Sequence, residues 1–181
     1  MTKLVSIVGM AGSGKSEVAK IFENSGFVKI RFGDITDREI SQRGLELNEG
    51  NERYIRQQLR KEHGMSAYAK LSLSQIDRLL KSVDVVVDGL YSWEEYTLLK
   101  SRYGDHFTVV AVWASPETRY ERLAKRSVRP LTAEEAVNRD IAEIEDTNKG
   151  GPIAMADFII INQSSLKALK RETKRVLAAL K

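Results

Sequence analysis

Apolar residues in this chain fall into short unbroken runs, separated by longer stretches in which they recur every three or four positions. The runs at 3–8, 27–32, 83–88, 107–113 and 157–161 read as β-strands. Val85-Val86-Val87 and Phe158-Ile159-Ile160-Ile161 lack polar alternation, as expected of strands buried on both faces. The stretches 16–24, 34–43, 51–62, 67–81, 92–103, 116–125, 133–146 and 165–180 read as helices. Ser115-Pro116-Glu117 puts proline and an acid at a helix start, and Thr132-Ala133-Glu134-Glu135 is a capping box. Strands alternating with helices predict an α/β fold, a three-layer α/β/α sandwich on a five-stranded parallel sheet. Residues 1–181 read as a single domain, without repeats or linkers. Within it the strand-free interval 33–82 is expected to form a helical lobe over the ligand side of the sheet, and 126–139 a short lid.

The first strand leads into Gly9-Met10-Ala11-Gly12-Ser13-Gly14-Lys15-Ser16, and a helix follows. This segment fits G-x-x-x-x-G-K-[ST] in the strand–loop–helix context that the motif requires. Backbone N–H groups of such a loop converge on one anion, and the helix N-terminus adds a favourable dipole. Lys15 would reach the β/γ-phosphates and Ser16 would hold Mg²⁺. The apolar run ending in Asp88-Gly89 places a carboxylate at the C-terminal edge of the sheet, where α/β folds bind ligands. Asp88 is therefore a second candidate for Mg²⁺, and with Gly89 a candidate border of the substrate site.

Composition adds limits. With 42% hydrophobic and 30% charged residues, 181 residues can build an ordinary core. There is no cysteine, so disulfides, thiolate metal sites and a cysteine nucleophile are excluded. No apolar run is long enough to span a bilayer, and Met1-Thr2-Lys3 leads straight into the first strand; a cytoplasmic protein is expected. The net charge of +4 balances 29 basic against 25 acidic residues. A site for a polyphosphate and a second anion explains that bias better than nucleic acid, because basic residues are not interleaved with aromatics.

The remaining candidates are charged. Asp34 follows the second strand and could act as a base, anchor a substrate or cap the helix, with Arg38 one turn beyond on the same face. Arg56 and Arg60 share a helix face and could grip a substrate phosphate or simply be solvated. Arg122 and Arg126 lie four apart in an arginine-rich stretch, and Arg139 could return to the same place from the next helix. Arginine is well suited to clamping a phosphoryl group in transfer, being planar and always charged. His63 and His106 show no ligand spacing and read as surface residues; Trp93 and Trp113 read as core or pocket walls.

Together these residues resemble the P-loop kinases of the nucleoside-monophosphate kinase group, over essentially the whole chain. Gly33-Asp34 resembles the Gly-Asp-x-Leu-Arg segment of adenylate-kinase-like enzymes, with Asp37 where their arginine would be. The spacing from Asp34 to Arg38 is similar to the Asp-x-x-x-Arg of dephospho-CoA kinases. So is the tail, Leu131-Thr132-Ala133-Glu134-Glu135-Ala136, then Arg139, then Ala156-Asp157 running to Asn162. Asp88-Gly89-Leu90-Tyr91-Ser92 departs from the dephospho-CoA kinase pattern, which favours proline and leucines there. The resemblance implies a P-loop NTPase fold, ATP and Mg²⁺ as cofactors, and γ-phosphoryl transfer to a nucleoside monophosphate or dephospho-CoA-like acceptor. It further implies Asp34 as the base and Asn162 near the nucleotide base. The residues leave open a P-loop ATPase or nucleotide-dependent switch acting with a protein or RNA partner.

Overall fold

The computed structural model describes residues 2–180. Five strands, β1 (Leu4–Val8), β2 (Val28–Arg31), β3 (Val85–Asp88), β4 (Phe107–Trp113) and β5 (Phe158–Ile161), form one sheet. Their order is β2-β3-β1-β4-β5 and every pairing is parallel. All five expected strands are present. Helices α1 (Lys15–Glu23), α2 (Gly33–Gln42), α3 (Glu49–His63), α4 (Ala67–Leu79), α5 (Trp93–Tyr103), α6 (Pro116–Ala124), α7 (Ala133–Glu145) and α9 (Leu166–Ala179) match the expected helical stretches to within a few residues. The short α8 (Gly150–Ala154) does not appear in the sequence pattern, because Gly150-Gly151-Pro152 reads as a turn.

The two faces of the sheet follow from period-two alternation. Leu4 and Val8 of β1 join Val85, Val87, Val109 and Ala111 beneath α2–α5. Val5 and Ile7 join Val86, Val110, Val112 and Ile160 beneath α1 and α9. Both clusters are buried, and each fully buried Val, Leu or Ile stabilises the fold by about 1.5–3 kcal/mol. A third, smaller cluster of Leu123, Leu131 and Ala136 ties α6 to α7 behind Ala11.

This topology creates the crevice. β1 and β3 are neighbours, with Ile7 opposite Asp88. Yet the chain leaves β1 for α1 on one face and β3 for α5 on the other. Diverging connections from adjacent strands open a cleft at their C-terminal edge, as in other open α/β sheets. Among the described residues no helix is long and apolar enough to cross a membrane. His63 and His106 are exposed as expected, but so are Trp93 and Trp113, which are neither core nor cavity wall: Trp113 ends the strand β4 at the surface and Trp93 begins α5 with its ring stacked on Tyr96.

Candidate active site

The loop after β1 is held open by its own backbone. Gly9, Gly12 and Gly14 have φ of 151°, 80° and 102°, which side-chain-bearing residues rarely adopt. Gly14 caps α1 in the left-handed conformation, and a Cβ there would come within 2.4 Å of Nδ2 of Asn162. Asn162 is buried; its side-chain amide donates to the Ser13 carbonyl at 2.8 Å, and its backbone N–H donates to Trp113 O at 2.7 Å. The end of β5 thus braces the loop from behind. Arg122 donates to the Asn162 carbonyl at 3.0 Å, so it too stands behind the loop.

Arg119 supplies a brace that the sequence reading did not single out. It is 4% exposed and donates to Ala11 O at 3.1 Å, to Ala114 O at 3.2 Å and to both Asp140 oxygens at 2.9 and 2.6 Å. This buried pair locks the loop, α6 and α7 together. The sequence carries no signal for it: Arg119 lies one turn into α6 and Asp140 midway along α7, and nothing in their spacing pairs them.

In front of the loop lies a cavity of about 510 Å³. Lys15, Ser16 and Asp88 with Gly89 form one wall. Lys15 donates to Met10 O at 3.0 Å. Burial, and after it the ammonium of Lys149, lower its pKa to about 7. Arg56 and Arg60 of α3 line the opposite side, with Arg53 beside them. Arg126, Arg129 and Arg139 border it from the 126–139 segment.

Asp34 and Arg38 stand elsewhere. α2 buries Gly33, Thr36 and Ile40, so its inward face carries Asp37, and Asp34 and Arg38 share the outward one. Both are exposed, and Asp34 accepts from Arg31 at 2.7 Å. The four-residue spacing correctly puts them on one face, but helix phase turns that face outward. Asp37 lines the cavity instead, 2.7 Å from Arg31.

An unbroken series of ion pairs runs round the cavity. Arg31 meets Asp37, which faces Arg129 at 3.8 Å; Arg129 bonds to Glu52. Glu52 accepts from Arg56 at 3.2 Å, and Arg56 donates to Glu49 at 2.6 Å. Glu49 also accepts from Arg139 at 2.8 Å, linking α3 to α7. Arg139 reaches Glu143 at 3.4 Å, and Glu143 pairs with Lys149 at 2.8 Å. Burial would raise the Glu143 pKa, but Lys149, Arg139 and Lys15 bring it down to about 2. Arg129 holds a left-handed φ of 57° immediately before Pro130, a conformation the following proline disfavours. Its carboxylate partners keep it there.

The loop residues suit a triphosphate and its metal on chemical grounds. The glycines let the loop backbone pack closely on Val112, Arg119 and Asn162 behind it, α1 begins at Lys15, and Ser16 with Asp88 offers hard oxygens. Among the described residues no group of three or more His, Cys, Asp or Glu is placed to hold a metal ion.

Sheet order, glycine loop and cavity define a P-loop protein of kinase-like architecture, and the AAA domain family model matches residues 5–145. The chain belongs to the UPF0200 family. It is 38% identical over 178 residues to a UPF0200 protein of Thermococcus kodakarensis, covering 96% of each chain. Its fold is similar to that of a shikimate kinase from Bacteroides thetaiotaomicron, with TM-score 0.63, 13% identity and 98% of both chains covered. A dephospho-CoA kinase from Campylobacter jejuni gives TM-score 0.59 at 19% identity, over 99% of this chain and 98% of that one. At these identities the likeness to both kinases is one of fold.

Proposed function

We propose that the protein is an ATP-dependent phosphotransferase that moves the γ-phosphoryl group to a small, phosphate-bearing, nucleotide-type acceptor. One observation carries this reading. The cavity sets Lys15, Ser16 and Asp88 of the glycine loop and β3 against a wall of arginines on α3. Its 510 Å³ is the size of a small-molecule site, and its cations face inward rather than forming an exposed stripe for nucleic acid.

When bound, Mg·ATP supplies a phosphorus centre whose bond to the β,γ-bridging oxygen breaks as a bond to an acceptor oxygen forms, leaving ADP. The rest is positioning and electrostatics by the chain. Lys15 and the loop amides hold the phosphates, and Ser16 and Asp88 take the metal. Arg56 and Arg60, on the 33–82 helices, seat the acceptor's anionic group. Arg126 and Arg139, on the 126–139 lid, close over the phosphates and exclude water. Asp37 orients the acceptor, the role that the family resemblance implies for Asp34. Its two arginine contacts suit a fixed hydrogen-bond acceptor better than a proton carrier, and a phosphate oxyanion needs no base.

A direct screen tests this. Mg·ATP is offered with nucleoside and deoxynucleoside monophosphates, dephospho-CoA and small alcohols, and phosphorylated product is measured. One strong phosphate-bearing acceptor is the expected result. Preference for an uncharged alcohol would overturn the acceptor assignment. Steady hydrolysis that no acceptor diverts would favour an ATPase or switch.

A further inference from the structure

Lys149 stands in Asn148-Lys149-Gly150-Gly151-Pro152, where no motif draws attention to it. In the structure it is 1% exposed, yet it lines the same cavity as Lys15. Its Nζ lies 2.8 Å from Oε2 of Glu143 and 5.2 Å from the centre of the Tyr91 ring. The local backbone is shaped to put it there. Asn148 takes a left-handed φ of 50°. The Lys149 N–H donates to Glu143 O at 3.2 Å, and the Trp93 N–H donates to Thr147 O at 3.2 Å. Gly151 packs so tightly on Trp93 that a Cβ would come within 2.6 Å of its ring.

Burying an ammonium is unfavourable unless its surroundings compensate. Glu143 compensates in part, but Glu143 also serves Arg139. Lys149 in turn is the strongest charged influence on Lys15, and it opposes that residue's charge. Its own charge is opposed by Arg139 and by Arg60 of the α3 wall. A pair that only fastened α7 to α8 would gain nothing from crowding a second lysine. Cations gathered on a cavity wall are complementary to a polyanion that enters between them. Lys149 lines the cavity that Lys15 of the glycine loop and Arg60 of the arginine wall also line.

We propose that Lys149 is a second phosphate-binding lysine, gripping the terminal phosphate of a bound nucleoside triphosphate opposite Lys15, with Glu143 and Tyr91 fixing its ammonium in place. The assignment rests on reading the cavity as a nucleoside triphosphate site. It implies discrimination: a nucleotide that ends at the β-phosphate meets Lys15 and not Lys149.

Calorimetric titration with Mg·ADP and with a magnesium complex of a non-hydrolysable ATP analogue tests it, alongside thermal melting. Lys149→Met should weaken the triphosphate analogue about 10- to 100-fold, the worth of one charge-assisted hydrogen bond, and leave ADP within about twofold. Lys149→Arg should recover part of the loss. The double variant Glu143→Gln/Lys149→Met leaves no unpaired carboxylate, so it guards against simple misfolding and should show the same selective loss. An unchanged ratio of the two affinities in a folded variant would overturn the proposal, as would equal loss of both ligands in the double variant. If the wild-type protein binds neither nucleotide, the triphosphate reading itself fails and the Lys149 assignment goes with it.

Discussion

Around Lys15 the chain holds its functional groups with glycine conformations and contacts buried behind the loop; across the cavity, around Arg56, it holds them with ion pairs that line the cavity itself. The loop is positioned by glycine conformations, by the Asn162 amide and by the buried Arg119–Asp140 pair. The opposite wall is positioned by carboxylates, Glu49 and Glu52, each of which pairs with Arg56 and with an arginine of the 126–139 segment. A backbone cradle keeps its shape whether or not an anion is present. Ion pairs can exchange one anion for another, so the arginine wall can turn from its carboxylates to a substrate phosphate. On the proposed function, the first region holds the phosphoryl donor and the second selects the acceptor.

The sharpest way to break this comparison is to attack the cradle from behind. Arg119→Ala removes one partner of a buried ion pair and strands Asp140. Such losses cost about 3–5 kcal/mol, so a drop in melting temperature of many degrees is expected. Nucleotide affinity should fall too, although Arg119 does not line the cavity. A variant that melts like the wild type would show that the loop needs no brace. Next in size, Lys15→Ala should leave the melting transition in place but cut phosphoryl transfer by about 10²–10³-fold, the usual cost of one transition-state donor. Undiminished transfer would remove the loop from the chemistry.

The same contrast explains what the sequence could disclose. The loop is a local object: every residue from Gly9 to Ser16 contributes through its own backbone or its immediate neighbours, so spacing alone reveals it. The sheet was equally legible, because buried parallel strands leave continuous apolar runs. The far wall was legible only in part. Arg56 and Arg60 could be placed on one face of α3, but their partners Glu49 and Glu52 carry no motif, and the links Glu49–Arg139 and Glu52–Arg129 join residues 90 and 77 positions apart. Asp34 and Asp37 were separated only by helix phase, which the burial of Thr36 and Ile40 decides. Lys149 was hidden because a glycine-proline turn conceals α8.

Between the two walls, the segment after β3 can be probed by pH. Glu95 caps α5 and accepts from the N–H groups of Tyr91 and Ser92, fixing the chain just beyond Gly89. Burial raises its pKa to about 7 from 4.5, against the pull of the Tyr91 N–H bond and the Arg60 charge. The folded state therefore binds the extra proton between those values. That contribution to stability is complete below pH 4.5 and is lost as pH rises through 7. Glu95→Gln keeps the cap and cannot ionise. Its stability relative to wild type should improve from pH 5 to pH 8 by about 1–3 kcal/mol, measured by denaturant titration at both pH values. A constant difference would mean that the carboxylate ionises as freely in the folded chain as in water.

The finest test compares two carboxylates three residues apart. Asp37→Asn weakens the contacts to both Arg31 and Arg129 at the cavity wall, whereas Asp34→Asn weakens only an exposed contact to Arg31. If charge positions the acceptor side, Asp37→Asn should raise KM for the acceptor about tenfold, the worth of one charge-assisted hydrogen bond, with KM for ATP unchanged. Asp34→Asn should move neither beyond about twofold, since exposed ion pairs contribute little. The split between the two KM values matters more than their size. A general loss of folding would raise both, and a loss of loop geometry would raise that for ATP first. Should Asp34→Asn instead collapse turnover at unchanged KM, the outward face of α2 would have to turn inward during the reaction, and the charge-held wall would be mobile enough to re-register a helix.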